Sequence, residues 1–184
     1  DEKCSICVGA CENNAIDLHQ KAQTQVINVG AVVLSPGVGA FDPAVRGDYG
    51  YRKIDNVVTS LDFERLLCAT GPHEGEILRP SDKKHPHKIA WIHCVGSRQV
   101  TPGGNGYCSS VCCSYIQKQV ILSKDHDAGM EAVVFHNDIR SYGKDFERFY
   151  RRAASLPGVR FERSYVSVSR EDPATKNVTV RYAT

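Results

Sequence analysis

At 184 residues the chain has room for one good-sized domain, or for a compact domain with a small appendage. Apolar residues make up 41% and charged residues 24%, ordinary globular usage that excludes intrinsic disorder and collagen-like repeats, and no window approaches the roughly 18 consecutive apolar residues of a membrane span. Twenty-three Lys and Arg against 21 Asp and Glu give +2 with the signs mixed along the chain, which argues against a nucleic-acid partner.

The chain begins at Asp1 and its only Met is Met130, so a fragment, a processed form or an incompletely recorded chain is expected. Residues 1–24 are polar and poor in core formers, the end of a small unit that a metal would have to fold. The run Val26, Ile27, Val29, Ala31, Val32, Val33, Leu34, stopped by Ser35-Pro36-Gly37-Val38-Gly39, predicts a buried parallel strand. Residues 40–56 read as loop. Thr59-Ser60 opens a helix with Leu61, Phe63, Leu66 and Leu67, ending before Gly71-Pro72. A polar linker over 73–87 is the main internal boundary, giving segments 1–24, 25–72 and 88–184.

A strand over 88–93 then delivers Cys94, and a flexible 101–106 loop leads to a helix over 109–124 with Val111, Tyr115, Ile116, Val120 and Ile121 near helical spacing. A strand over 132–136, a helix over 144–154, a strand over 159–163 and a hairpin of 165–169 with 178–182 complete the chain. This βαβαβ order predicts an α/β fold with an open parallel sheet.

Seven of the eight Cys fall in two clusters: Cys4, Cys7, Cys11, and Cys94, Cys108, Cys112, Cys113. Disulfide scaffolds are short secreted chains with dispersed cysteines; clusters within an α/β composition point to metal or redox chemistry, and the cytoplasm is the default compartment. Cys4-x2-Cys7-x3-Cys11 reproduces the last three members of the C-x2-C-x2-C-x3-C iron–sulfur run, with Asp1 where the first would stand. In another register Cys4 is the first ligand. Both leave three thiols where a cubane needs four; zinc and a purely structural role stay open.

The second cluster, Cys94-x13-Cys108-x3-Cys112-Cys113, lies where a doubly wound sheet places its ligand crevice. The G-x-G-x-x-G of a dinucleotide site is missing there. Thiolates replace the pyrophosphate at a helix N-terminus that stabilises either anion. Adjacent Cys112 and Cys113 diverge by about 100° on a helix, so both reach one cluster only where it caps the helix end. Iron–sulfur, zinc and buried free thiols are the alternatives. Cys68 reads as core, and none of the seven His shows metal spacing. Lys118 and Glu64 are charge partners for a redox cofactor, or simply solvated helix faces.

Several strings together resemble the A-type subunit of heterodisulfide reductase and its relatives: Cys11-Glu-Asn-Asn-Ala-Ile-Asp17, Thr59-Ser-Leu-Asp-Phe-Glu-Arg-Leu-Leu67, Arg79-Pro-Ser-Asp82, Cys94-Val-Gly-Ser-Arg98, Tyr107-Cys-Ser-Ser-Val-Cys-Cys113 and Asp138-Ile-Arg-Ser-Tyr-Gly143. The resemblance implies an FAD-containing, electron-bifurcating oxidoreductase component with a thioredoxin-reductase-like, Rossmann-type fold and an inserted ferredoxin module. It further implies a [4Fe-4S] cluster on Cys94, Cys108, Cys112 and Cys113, and a ferredoxin-type [4Fe-4S] site at Cys4, Cys7 and Cys11. Ser35, Pro36 and Gly37 match an FAD-contacting strand end usually written Ala-Thr-Gly. Lys118 and Glu64 match positions near the flavin.

On this reading 1–24 ends the ferredoxin module, 25–72 is part of the FAD domain, and 88–184 is a nucleotide-domain-like unit. The pyrophosphate-binding G-x-G-x-x-G is absent, so the chain alone is expected to bind FAD poorly. Implied partners are B- and C-type subunits, a hydrogenase or dehydrogenase donor, ferredoxin, and a second copy in a homodimer; no nucleic acid and no direct membrane span are expected. A quinone-interacting membrane oxidoreductase relative and a zinc-held docking module are the competing expectations.

Overall fold

A computed structural model of the chain describes residues 5–183. The chain forms two compact units, Asp1–Gly39 and Ala40–Thr184.

In the first unit a single short helix, α1 (Ile6–Ala10), is followed by chain without helix or strand. The strand predicted over the 26–34 apolar run does not form: Val33 is 89% exposed. The physical reason is pairing. A strand exists only where its N–H and C=O groups find a ladder, and among the described residues none pairs with this segment.

The second unit carries the predicted α/β core. Helix α2 (Ser60–Leu67) starts at a complete capping box: Asp62 N donates to Thr59 Oγ1 at 3.1 Å and Thr59 N to Asp62 Oδ2 at 3.0 Å. Strand β1 (Lys88–Ile92), helix α3 (Cys112–His126), strand β2 (Glu131–His136), helix α4 (Phe146–Ala154) and strand β3 (Val159–Arg163) follow in order. The three strands form one parallel sheet ordered β1-β2-β3, with Lys88 opposite Glu131 and Ala132 opposite Val159. Strands β4 (Val166–Glu171) and β5 (Val178–Tyr182) form the predicted antiparallel pair.

Central strand β2 is buried on both faces, which explains its unbroken Ala-Val-Val-Phe run. Ala132 and Val134 pack with Phe63, Leu67, Trp91, Ile116, Val120 and Met130 on one face. Val133 and Phe135 pack with Tyr49 and Val166 on the other. Burying Val120 and Val134 completely contributes about 1.5–3 kcal/mol each. The 73–87 stretch carries Ile77 into this core, and Arg79 ties it to the β4–β5 turn through Asn177 Oδ1 and the Thr175 carbonyl, both at 2.8 Å.

Three local readings change. The 40–56 loop contains two 3-10 turns, Pro43–Val45 and Gly47–Tyr49, that bury Arg46 and Tyr49. Helix α3 begins at Cys112, later than 109, because Ser110 stands in the left-handed region at φ 64°; Asp145, at φ 69°, delays α4 in the same way. Cys68 is the half-buried C-cap of α2 and lies outside the core. Among the described residues no helix is long and apolar enough to cross a membrane.

Candidate metal centre

Parallel strands deliver their carboxyl ends to one edge of the sheet, and the cysteine-bearing loop starts there. Cys94 follows β1 with φ 60°, and Gly96 two residues on has φ 79°. A Cβ at Gly96 would overlap the Phe41 ring, so glycine is required by both conformation and space. The loop closes on itself: Arg98 N donates to the Tyr107 carbonyl and Asn105 N to that of Gly96, each at 2.9 Å. Gln99 Nε2 donates to the Cys94 carbonyl at 3.0 Å, while buried Arg46 donates to Gln99 Oε1 at 2.5 Å. The Arg98–Asp138 ion pair joins this loop to the one after β2, so Cys94-Val-Gly-Ser-Arg98 and Asp138-Ile-Arg-Ser-Tyr-Gly143, distant in sequence, meet here.

Cys94, Cys112 and Cys113 are all buried. Cys112 and Cys113 are the first two residues of α3. The ligating atoms of His93, Cys112 and Cys113 lie within 4.8 Å of one another. Cys113 Sγ stands 3.6 Å from His93 Nδ1 and accepts from Arg140 N at 3.4 Å. The neighbouring Cys113 and Cys94 thiols, then Ser109, hold the Cys112 thiol far below its ordinary range; Cys112, with burial, pushes Cys94 and Cys113 far above it. Burial takes His93 down to about 4.

Not every expected ligand joins this group. Cys108 is half-buried, and its Sγ accepts from Ser110 N at 3.3 Å. Cys7 is exposed on α1 and Cys11 ends that helix, its sulfur accepting from Ala15 N at 3.3 Å, both in the first unit. Cys4 lies outside the described residues. Ser35, Pro36 and Gly37 are exposed, and nothing among the described residues stands within 4 Å of a Cβ built at Gly37.

Lys118 and Glu64 pair with each other across α3 and α2. Lys118 first, then Gln119, holds the Glu64 carboxyl below its usual range, against the partial burial that would raise it. Lys118 also lines an open groove of about 530 Å³ with Tyr115, Arg140, Tyr142, Phe146 and Phe149. Sequence reasoning missed His93 and the backbone of Arg140. Adjacency to Cys94 was the one available signal for His93; a backbone N–H leaves none.

Three soft sulfurs, a neighbouring imidazole and a helix end without a side-chain cap define a thiolate-rich, metal-competent centre on a parallel α/β unit. No family model matches the chain, but curated relatives do. It is 42% identical over 179 residues to the A-type iron-sulfur subunit of CoB–CoM heterodisulfide reductase from Methanocaldococcus jannaschii, covering 97% of this chain and 27% of that protein. It is 40% identical over 171 residues to the A-type subunit of the H2:CoB-CoM heterodisulfide,ferredoxin reductase from Methanothermobacter marburgensis, covering 93% and 26%. With the A-type subunit of the ferredoxin:CoB-CoM heterodisulfide reductase from Methanosarcina mazei the identity is 37% over 164 residues, covering 89% and 20%. Over about nine-tenths of its length the chain is similar to A-type heterodisulfide reductase subunits, and it spans about a quarter of the length of the curated relatives it matches.

Proposed function

We propose that this chain carries an electron-transfer site of a heterodisulfide-reductase-like oxidoreductase, with Cys94, Cys108, Cys112 and Cys113 holding one [4Fe-4S] cluster. The observation that carries the reading is the gathering of three buried thiols at an uncapped helix N-terminus. The donor set fits the group: soft sulfur ligands, backbone N–H donors already aimed at Cys113 and Cys108, and a positive helix end facing an anionic cluster. When bound, the cluster supplies one-electron transfer. The chain's part is to fix the sulfurs, exclude water around Cys94, Cys112 and Cys113, and set the potential through N–H donors and burial. Cys108 is the ligand from the more open loop.

In the same reading Cys4, Cys7 and Cys11 close the tail of a ferredoxin-like module over 1–24. Residues 25–72 belong to the FAD-binding domain and 88–184 to the cluster-bearing, nucleotide-domain-like unit. The aromatic groove beside Lys118 and Arg140 suits a planar, electron-accepting ring such as a flavin, with the two cations stabilising negative charge on it and Glu64 holding Lys118 in place. Electron bifurcation at FAD, B- and C-type partner subunits, a hydrogenase or dehydrogenase donor and ferredoxin follow from the family and belong to the whole cytoplasmic protein.

The test is iron content and EPR of the anaerobically prepared, reduced whole protein against a Cys112→Ser, Cys113→Ser double variant. Loss of about four iron atoms and of one cubane signal, the iron count of a single [4Fe-4S], is expected. Zinc at this site, or an unchanged iron count in a folded variant, refutes the proposal.

A further inference from the structure

We propose that His93 is a positioning residue for the metal centre. Its Nδ1–H donates to the Cys113 sulfur, and one water, held behind the ring between His93 Nε2 and His136 Nδ1, fixes the tautomer that makes this donation available. The inference rests on the cluster reading above.

His93 is 6% exposed, with Nδ1 3.6 Å from Cys113 Sγ. A free Cys113 thiol can donate to the ring or accept from it; a metal-bound thiolate carries no proton and can only accept. The proton must then sit on Nδ1, and in a neutral imidazole Nε2 becomes a pure acceptor. Nε2 is buried and has no hydrogen-bond partner among the described residues. His136, at the end of the adjacent strand β2, has its Nδ1 buried and equally without a partner. The two rings stand 6.4 Å apart, centroid to centroid.

Both rings line one void of about 10 Å³, together with Cys94 and Asn137 among others. That is about the room one water needs, and each of the two unpartnered ring nitrogens, when unprotonated, accepts one of its hydrogens. Two unsatisfied nitrogens and one water-sized void are thus explained by the same molecule. The consequence reaches the metal: His93 Nδ1 and Arg140 N both donate to one sulfur. Paired N–H donors withdraw charge from a thiolate ligand, favour the reduced cluster and raise its potential.

The experiment is an EPR-monitored redox titration of the whole protein, following the signal that disappears in the Cys112→Ser, Cys113→Ser variant. His93→Leu removes the donor and is expected to lower the midpoint potential of that signal. His93→Asn places an amide N–H at the reach of Nδ1 and is expected to restore most of it, which a packing role would not do. Hyperfine spectroscopy of the unmutated protein labelled with 15N-histidine needs no substitution. It is expected to show one weakly coupled imidazole nitrogen and an exchangeable proton. A cluster with no such coupling, or with an unchanged potential in His93→Leu, overturns the inference and leaves the cluster reading standing. A strong coupling typical of direct ligation also overturns it, since His93 would then be a ligand. No cluster signal in the unmutated protein overturns the reading and the inference with it.

Discussion

Replacing Gln119 by Met tests the scaffold behind the metal centre. Gln119 is 1% exposed; its Oε1 accepts from Trp91 Nε1 at 3.2 Å, and its Nε2 donates to the Ser60 carbonyl at 2.8 Å and to Glu64 Oε2 at 3.2 Å. One amide thus ties β1, α2 and α3 together. Met has nearly the same length and no polar end. The Ser60 carbonyl keeps its place in the first turn of α2, and Glu64 keeps Lys118, so neither is orphaned. The indole N–H is different: Trp91 is 6% exposed, locked edge-on against Phe63 at 5.5 Å, and cannot turn to water. Leaving a buried donor unpaired costs about 1–3 kcal/mol, against a small gain from the added apolar contact, so Gln119→Met is expected to destabilise by about 2 kcal/mol. Trp91 is the only tryptophan in the chain, and its fluorescence reports urea unfolding directly. A double-mutant cycle with Trp91→Phe, followed by circular dichroism, isolates the pair. Once the donor is gone, Gln119→Met should cost little. Purely additive costs, or a midpoint within experimental error of the unmutated chain, would refute the reasoning.

Gly96→Ala is expected to destabilise the Cys94 loop. The φ of 79° alone costs an alanine about 1–2 kcal/mol, and displacing the Phe41 ring adds to it; lowered iron loading together with a lower melting temperature is the readout. Lys118→Met should let the Glu64 carboxyl rise toward its ordinary 4.5. A carboxyl held low in the folded state contributes stability above its unfolded value and loses it as pH falls through the folded value. Acid-side destabilisation below the ordinary value should therefore be shallower in the variant. A carbon-13 titration of the Glu64 carboxyl measures this, and an unshifted curve would show that Lys118 is not its partner in solution.

What the sequence made legible follows from where each signal is generated. The capping box at Thr59 and Asp62 is local chemistry, so α2 could be read to within a residue at its start. The apolar periodicity of β1, α3, β2, α4 and β3 is generated within each element, and their order dictates the parallel sheet. The 26–34 run carries the same pattern as β2, yet pattern states only which surface wants burial. The ladder and the cover must come from elsewhere, and among the described residues they do not. Helix starts at Cys112 and Phe146 turn on left-handed residues, Ser110 and Asp145, whose conformations are set by the surrounding loops. His93 escaped because metal spacing is a one-dimensional signal. Its partner Cys113 stands twenty positions away, and only the packing of α3 across β1 brings the ring and the sulfur together.

Two helices of the second unit treat their N-termini in opposite ways. Helix α2, with no cysteines in its first turn, satisfies its N-terminus through Thr59 and Asp62. Helix α3 is almost twice as long, 15 residues against 8, yet begins behind Val111 with no side-chain cap, forgoing the roughly 1 kcal/mol such a cap contributes. Its first two positions are vicinal cysteines, a poor choice by helix propensity. Nothing in the stability of α3 favours this arrangement. It does place unpaired N–H groups and the positive end of the dipole against the sulfurs of Cys112 and Cys113, with Cys94 and His93 arriving from β1. A helix end left without a side-chain cap, with thiols in its first turn, suits an anion and is not what a packing motif alone would select.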